Sequence, residues 1–289
     1  MILGNTIKEA SKLLKENNIP SHELDAEVIL SNLMGVTREF LIVNNSLNVT
    51  QKVIKKYNLA IARRIKREPV AYIIGQKEFW SENFLVNKTT LVPRPETELL
   101  IYKLMDFYKY KKINILDIGT GSGCILLALL KELRSSRGTG IDISSEAIKI
   151  AKSNAKRLNL FNKARFVTFD FKEFKIGKFD LIVSNPPYIS SRDLKKLTSD
   201  IIKFEPRGAL DGGIDGLDLI KKIIYKSTYH LKRNGILALE IGFGQYKKVS
   251  KLLKHCGFRE ISKEYDYKRN VRCIISTKVN FFKIKKYLF

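Results

Sequence analysis

One stretch constrains this chain more than any other: Ile115-Leu116-Asp117-Ile118-Gly119-Thr120-Gly121-Ser122-Gly123-Cys124-Ile125. An apolar run of strand length stops at three alternating glycines, and an apolar helical stretch, LLALLKEL, follows at once. Glycine reaches positive φ and carries no Cβ, so such a turn lets backbone approach a ligand at a helix N-terminus. From residue 96 onward the apolar runs INILDIG, GTGIDI, ARFVTFD, FDLIVSN and GILALEIG alternate with amphipathic helical stretches. That alternation predicts a parallel α/β sheet with helices on both faces. YKRNVRCIISTKV adds one or two further strands.

The glycines are spaced GxGxG. A dinucleotide fingerprint would read GxGxxG, and Cys124 stands where its third glycine would be. Asp117 is unexpected beside a pyrophosphate and suits a ligand carrying a positive ammonium or sulfonium group. Asp142 ends the next strand, 19 residues after Gly123, where a carboxylate can accept from both hydroxyls of a ribose. Asp170 and Phe171 end the third strand; the acid can accept from an adenine amino group and the ring can cover its face. The plainer alternative is three acids that cap helices. Together, Asp117, Gly119, Thr120, Gly121, Ser122, Gly123, Asp142, Asp170 and Phe171 resemble the S-adenosylmethionine site of Rossmann-like methyltransferases.

Ser184-Asn185-Pro186-Pro187-Tyr188 follows the strand FDLIVS. Two prolines cannot continue a sheet, and their fixed φ makes a rigid corner at the strand's carboxyl end. The Asn185 side-chain oxygen and the Pro186 carbonyl can accept both hydrogens of a planar –NH2 group, and Tyr188 can stack on the group that carries it. An amide nitrogen is a poor nucleophile because its lone pair is delocalised. Fixing both N–H bonds turns that lone pair towards a methyl donor without a strong general base.

The first 70 residues read as helices, with Ile7, Ala10, Leu13 and Leu14 at helical spacing on the first. Ser21 is the expected N-cap of a second, with Leu24, Val28, Ile29 and Leu33 apolar and Gly35 at its end. Thr50 is expected to cap a third, with Val53, Ile54, Leu59 and Ile65 inward. AYIIGQKEFW and ENFLVNKTTLVP suggest a hairpin around Ser81-Glu82-Asn83 that links two domains. Arg94 to Glu98 (RPETE) has the shape of a proline-led helix start, and no role follows for its residues. The glycine-rich stretch from Glu205 to Leu217 is expected to form a loop beside the substrate.

Charge and cysteines bound the function. Lys+Arg 53 against Asp+Glu 29 gives +24, which fits a nucleic-acid footprint, but 38 of the 53 are lysines spread over every segment. KKIN at 111–114 and FFKIKKYLF at the C-terminus read as solvated faces. Cys124, Cys256 and Cys273 are too dispersed for a disulfide scaffold or a zinc cluster, so no metal is expected. No apolar run approaches the ~20 residues of a membrane span, and MILGNTIKEA lacks the shape of a signal peptide, so a cytoplasmic protein is expected.

The motifs LDAEVIL, PVAYIIGQKEFW, LVPRPETELL, LDIGTGSGCI, NPPYI and EPRGALDGGIDGLDL resemble the HemK/PrmC family over nearly the whole chain. The resemblance implies a Rossmann-like class I S-adenosylmethionine-dependent methyltransferase domain at 96–289, a helical substrate-recognition domain at 1–70 and a β-hairpin linker at 71–95. It implies N5-methylation of the glutamine in the GGQ motif of class I peptide-chain release factors. Gly119 to Gly123, Asp142, Phe171 and Asn185 would line the cofactor site, and Asn185, Pro186, Pro187 and Tyr188 would hold the amide. NPPY alone also occurs in nucleic-acid amino methyltransferases, which is the alternative function; direct nucleic-acid binding is not the favoured expectation.

Overall fold

A computed structural model describes residues 1–171 and 177–279; FFKIKKYLF lies outside the described residues. The chain divides into two units, Met1–Gln76 with Thr198–Glu205, and Lys77–Leu197 with the remainder from Pro206.

The first unit holds α1 (Leu3–Glu16), α2 (His22–Met34), α3 (Arg38–Val43), α4 (Gln51–Ile65), α5 (Val70–Ile74) and, from later in the chain, α9 (Ser199–Phe204). Leu3, Leu14, Ala26, Ile29, Leu30, Ile54, Tyr57 and Ile61 close its core. Leu59, expected inward, is exposed, as are Leu13 on α1 and Leu24 on α2. On α4 the inward positions are Ile54, Tyr57, Ile61 and Arg64, spaced three and four apart, and Leu59 falls on the opposite face. Thr50 caps α4 as expected, its hydroxyl accepting from Val53 N–H. Ser21 does not cap α2 with its side chain; its hydroxyl instead donates to Asp25 Oδ2 (2.8 Å). The short α3 went unpredicted, and Thr37 caps it by accepting from Phe40 N–H. Arg64 is buried; its Nε donates to Asp25 Oδ2 and its Nη1 to Asp200 Oδ2, both at 2.7 Å.

The second unit opens with a hairpin, β1 (Gln76–Phe79) and β2 (Glu82–Leu85). Its turn centres on Trp80 and Ser81, at φ +52° and +56°, just before the expected Ser81-Glu82-Asn83. Then come α6 (Glu98–Tyr108), β3 (Asn114–Ile118), α7 (Cys124–Glu132), β4 (Arg137–Asp142), α8 (Ser145–Arg157), β5 (Ala164–Thr168) and β6 (Phe179–Ser184). After α9 follow α10 (Asp218–His230), β7 (Leu231–Glu240), α11 (Tyr246–His255), β8 (Phe258–Tyr265) and β9 (Val271–Lys278).

The main sheet runs β5-β4-β3-β6-β7-β9-β8. Its first five strands are parallel; β9 is antiparallel to β7, and β8 to β9, so the sheet is mixed. Alternate residues of each buried strand face opposite helical layers, as a period of two requires. Ile115, Leu181, Val183 and Ala238 pack with α6, α7 and α8, together with the hairpin's Phe79 and Phe84. Leu116, Ile118, Ile182, Leu237 and Leu239 pack against α10 and α11.

Candidate active site at the switch point of the sheet

Strand order reverses between β3 and β6, and ligands of open α/β sheets bind in the crevice beyond the strand carboxyl ends at such a point. Strand register sets what meets there. Ile118 pairs with Ile141 and with Ser184, and Ser184 pairs with Leu239. The next residue on each strand is therefore Asp142, Gly119, Asn185 and Glu240, four side-by-side positions contributed by four strands.

A cavity of about 530 Å³ opens at this row. Among the described residues that line it are Gly119, Thr120, Gly121, Ser122, Asp142, Asp170, Phe171, Asn185 and Pro187; Asp117, Gly123, Pro186 and Tyr188 are not on its wall. Gly119 and Gly121 sit at φ +69° and +55°, and a Cβ on either would meet nothing within 4 Å, so bare backbone faces open space. Gly123 serves packing: its Cβ would stand 3.1 Å from the Phe166 ring and 3.2 Å from Ala151 Cβ. Asp142 Oδ2 accepts from Gly121 N–H and its Oδ1 from Ser144 N–H, both at 2.9 Å. Each oxygen keeps a lone pair for a further donor.

Asp117 is fully buried beneath the turn. Its Oδ2 accepts from Thr120 Oγ1 (2.6 Å), while Oδ1 has no hydrogen-bond partner among the described residues. Burial pushes its carboxyl up to about 7, offset in part by the Thr120 hydroxyl.

The Asn185 side chain is anchored from behind. Its Nδ2 donates to Thr97 Oγ1 (3.1 Å), and Thr97 Oγ1 donates to Glu240 Oε2 (2.6 Å). Tyr188 Oη donates to the other oxygen, Glu240 Oε1 (3.2 Å). Tyr188 thus spends its hydroxyl on a buried acid and packs beside the α10–α11 core. Burial pushes Glu240 up to about 7 against the pull of both donors.

Sequence reasoning missed Thr97 and Glu240. The signal for Glu240 was present: an acid ending GILALEIG, an otherwise apolar strand. Pro95 starts a short 3₁₀ turn, Arg94 and Thr97 line the cavity, and Glu98 Oε1 accepts from Trp80 N–H (2.8 Å) to hold the hairpin turn.

The glycine-rich loop after Glu205 grips the NPPY backbone. Gly212 N–H donates to the Ile189 carbonyl, and Ile189 N–H to that of Leu210. A Cβ on Gly212 would come within 2.8 Å of the Pro187 carbonyl oxygen, which excludes any other residue. Gln245 Nε2 donates to the Tyr188 carbonyl (2.8 Å) and completes the clamp.

Residues 5–75 match the family described as the PrmC N-terminal domain, and residues 95–213 the methyltransferase small domain. The release factor glutamine methyltransferase of Caulobacter vibrioides is 37% identical over 271 residues, covering 93% of this chain and 94% of the relative. That of Buchnera aphidicola subsp. Acyrthosiphon pisum is 40% identical over 267 residues, covering 91% and 95%. Among solved structures, a methyltransferase from Pyrococcus furiosus aligns with TM-score 0.53 at 18% identity, covering 75% of this chain and 96% of that one. A 16S rRNA methyltransferase from T. thermophilus, solved with AdoMet and guanosine, aligns with TM-score 0.52 at 16% identity, covering 71% and 50%. At these identities the two structures speak to the fold.

Proposed function

We infer the activity from one premise: this chain belongs to the release factor glutamine methyltransferases. It is an S-adenosylmethionine-dependent methyltransferase, and its substrates are release factors. We propose further that the acceptor is N5 of the glutamine in the GGQ loop of class I release factors, and that the reaction takes place in the cytoplasm. Among the described residues no helix is long and apolar enough to cross a membrane.

The residues present fit the cofactor. The bare backbone of Gly119 and Gly121 admits a bulky ligand, and the free lone pairs of Asp142 suit a ribose diol. The buried, unpartnered Oδ1 of Asp117 leaves a carboxylate oxygen behind the turn that a nearby positive charge would stabilise. Asp170 and Phe171 on the same cavity wall suit adenine. When bound, S-adenosylmethionine supplies an electrophilic methyl group on a sulfonium sulfur.

The observation that carries the reading is the anchoring of Asn185. Because Nδ2 is tied to Thr97, Oδ1 is the atom left to accept an N–H of the substrate amide. We assign the second N–H to the Pro186 carbonyl, which lies between the wall residues Asn185 and Pro187 without lining the cavity itself, on a corner whose fixed φ limits its movement. With both N–H bonds held in plane, the nitrogen lone pair is directed out of that plane. The two acceptors also stabilise the positive charge that grows on nitrogen, whose extra proton passes to water after transfer.

The test is incubation with purified release factor and methyl-labelled cofactor, followed by mass spectrometry of the GGQ peptide. One methyl group on the glutamine is expected, with none transferred to bare RNA or DNA. Label on nucleic acid alone, or none on that glutamine, sinks the reading.

A further inference from the structure

Thr97 and Glu240 lie behind Asn185, 88 and 55 residues away in sequence, and meet it only because of strand register. Thr97 has one hydroxyl proton. While that proton is donated to Glu240 Oε2, Oγ1 can only accept from Asn185, which requires the amide NH2 to face Thr97 and the carbonyl to face outward. Reversing Thr97 would reverse Asn185. Both partners are almost wholly buried, Thr97 at 2% and Glu240 at 1% exposure, so water does not offer Thr97 a ready substitute acceptor.

We propose that Glu240, acting through Thr97, is a positioning residue that sets which end of the Asn185 amide faces the substrate. The proposal rests on the reading of Asn185 as an acceptor for the glutamine amide, and adds two residues that need not touch that substrate. As a carboxylate, Glu240 accepts from both Thr97 and Tyr188. As a carboxylic acid it carries a proton of its own and can donate to Thr97 Oγ1. Thr97 is then free to donate to Asn185 Oδ1, turning NH2 towards the substrate, where it repels the substrate's own N–H. The charged and titratable groups around Glu240 are Glu96 before α6, Arg272 and Cys273 on β9, and Tyr188. Burial and Glu96 favour the acid; Arg272, Thr97 and Tyr188 favour the carboxylate, and the balance falls at about 7.

The experiment is single-turnover methylation of release factor, at saturating cofactor and release factor, from pH 6 to 8.5. Wild type should gain rate as Glu240 loses its proton. Glu240→Gln should be slower, without that limb, because the Gln amide can donate to Thr97 at every pH. Thr97→Val should lower kcat by on the order of 100-fold, the scale expected of a misplaced catalytic group, with KM changed little; Thr97→Ser should restore most of the rate. A second measurement needs no substrate. The Asn185 side-chain amide resonances, assigned through Asn185→Ala, should move across the same pH range in wild type and stay fixed in Glu240→Gln. Wild-type kcat and pH profile in both Glu240→Gln and Thr97→Val, or resonances that ignore pH in wild type, would overturn the proposal. If wild type fails to methylate release factor at all, the functional reading falls, while the resonances still decide whether Glu240 sets Asn185.

Discussion

Asn154 on α8 donates its side-chain Nδ2 to the carbonyl of Ser122, in the middle of the glycine turn, at 2.9 Å. The same amide brackets Leu85 at the end of β2, accepting from its N–H (2.7 Å) and donating to its carbonyl (3.1 Å). One buried side chain therefore does for Leu85 what a neighbouring strand would do, and ties the hairpin to the turn that walls the cavity. Asn154→Ala strands three backbone groups, and each buried group left unpaired costs about 1–3 kcal/mol. Denaturant unfolding should show a loss of at least about 3 kcal/mol, with weaker cofactor binding. A loss below about 1 kcal/mol would mean that water replaces the amide.

Asp142→Ala should weaken S-adenosylmethionine by about 1.5–3 kcal/mol, the range for a hydrogen bond to a charged group. The loss also frees the N–H groups of Gly121 and Ser144 that the carboxylate now holds, so the turn should loosen. Titration calorimetry measures the first effect. Unchanged affinity would show that the ribose is not held at the end of β4.

Asn185→Ala should cost about 100–1000-fold in single-turnover rate, as loss of a preorganised polar group does. Cofactor affinity, measured separately, should move far less, because Asp142 and the glycine turn remain. Near-normal turnover would remove the amide clamp from consideration.

Tyr188→Phe tests a role that NPPY did not reveal. The missing hydroxyl strands Glu240 Oε1, and a stability loss of about 1–3 kcal/mol is expected. Turnover should fall less than for Asn185→Ala, since the ring and the Asn185–Thr97 bond survive. A variant as stable as wild type would mean that Oε1 finds another donor.

Glu240 and Asp117 also give stability a pH signature. Both carboxyls are raised by burial to about 7, so in the folded state they bind protons more tightly than in the unfolded chain. Their contribution is therefore fully present below about pH 4 and is lost as pH rises through about 7. Relative to wild type, Glu240→Gln should gain stability over that window, by up to about 3 kcal/mol. Parallel denaturation curves at pH 5 and pH 8 check the sign. A constant difference would mean that Glu240 does not titrate there.

What could be read from the sequence was whatever leaves a local mark. The glycine turn is written in residues that tolerate positive φ, and the NPPY corner in residues that cannot continue a strand. The central parallel strands β3, β6 and β7 stand out because they are buried on both faces. Thr97 leaves no such mark and Glu240 only a faint one, an acid ending an apolar strand, since the meaning of both is a contact across 143 residues. The β8 strand, FREISKEY, went unread because an edge strand with charged Arg259, Glu260, Lys263 and Glu264 resembles any polar surface segment. Leu59 was misplaced for a different reason: helical periodicity locates an apolar stripe, but neighbours choose which of two adjacent residues, here Ala60, enters it.

The pairing of Arg64 with Asp200 has a consequence for how the protein can be taken apart. Residues 198–205 leave the second unit's stretch of chain and return to it, so the polypeptide crosses between the units at three peptide junctions. No single cleavage yields two whole pieces. A fragment ending at residue 76 would carry the buried Arg64 guanidinium with Asp25 alone where it now has two carboxylates. The complementary fragment would keep α9 with nothing of its own unit to fold against. Loss of one partner from a buried ion pair costs several kcal/mol, so the amino-terminal piece should be aggregation-prone unless residues 198–205 are grafted back onto it.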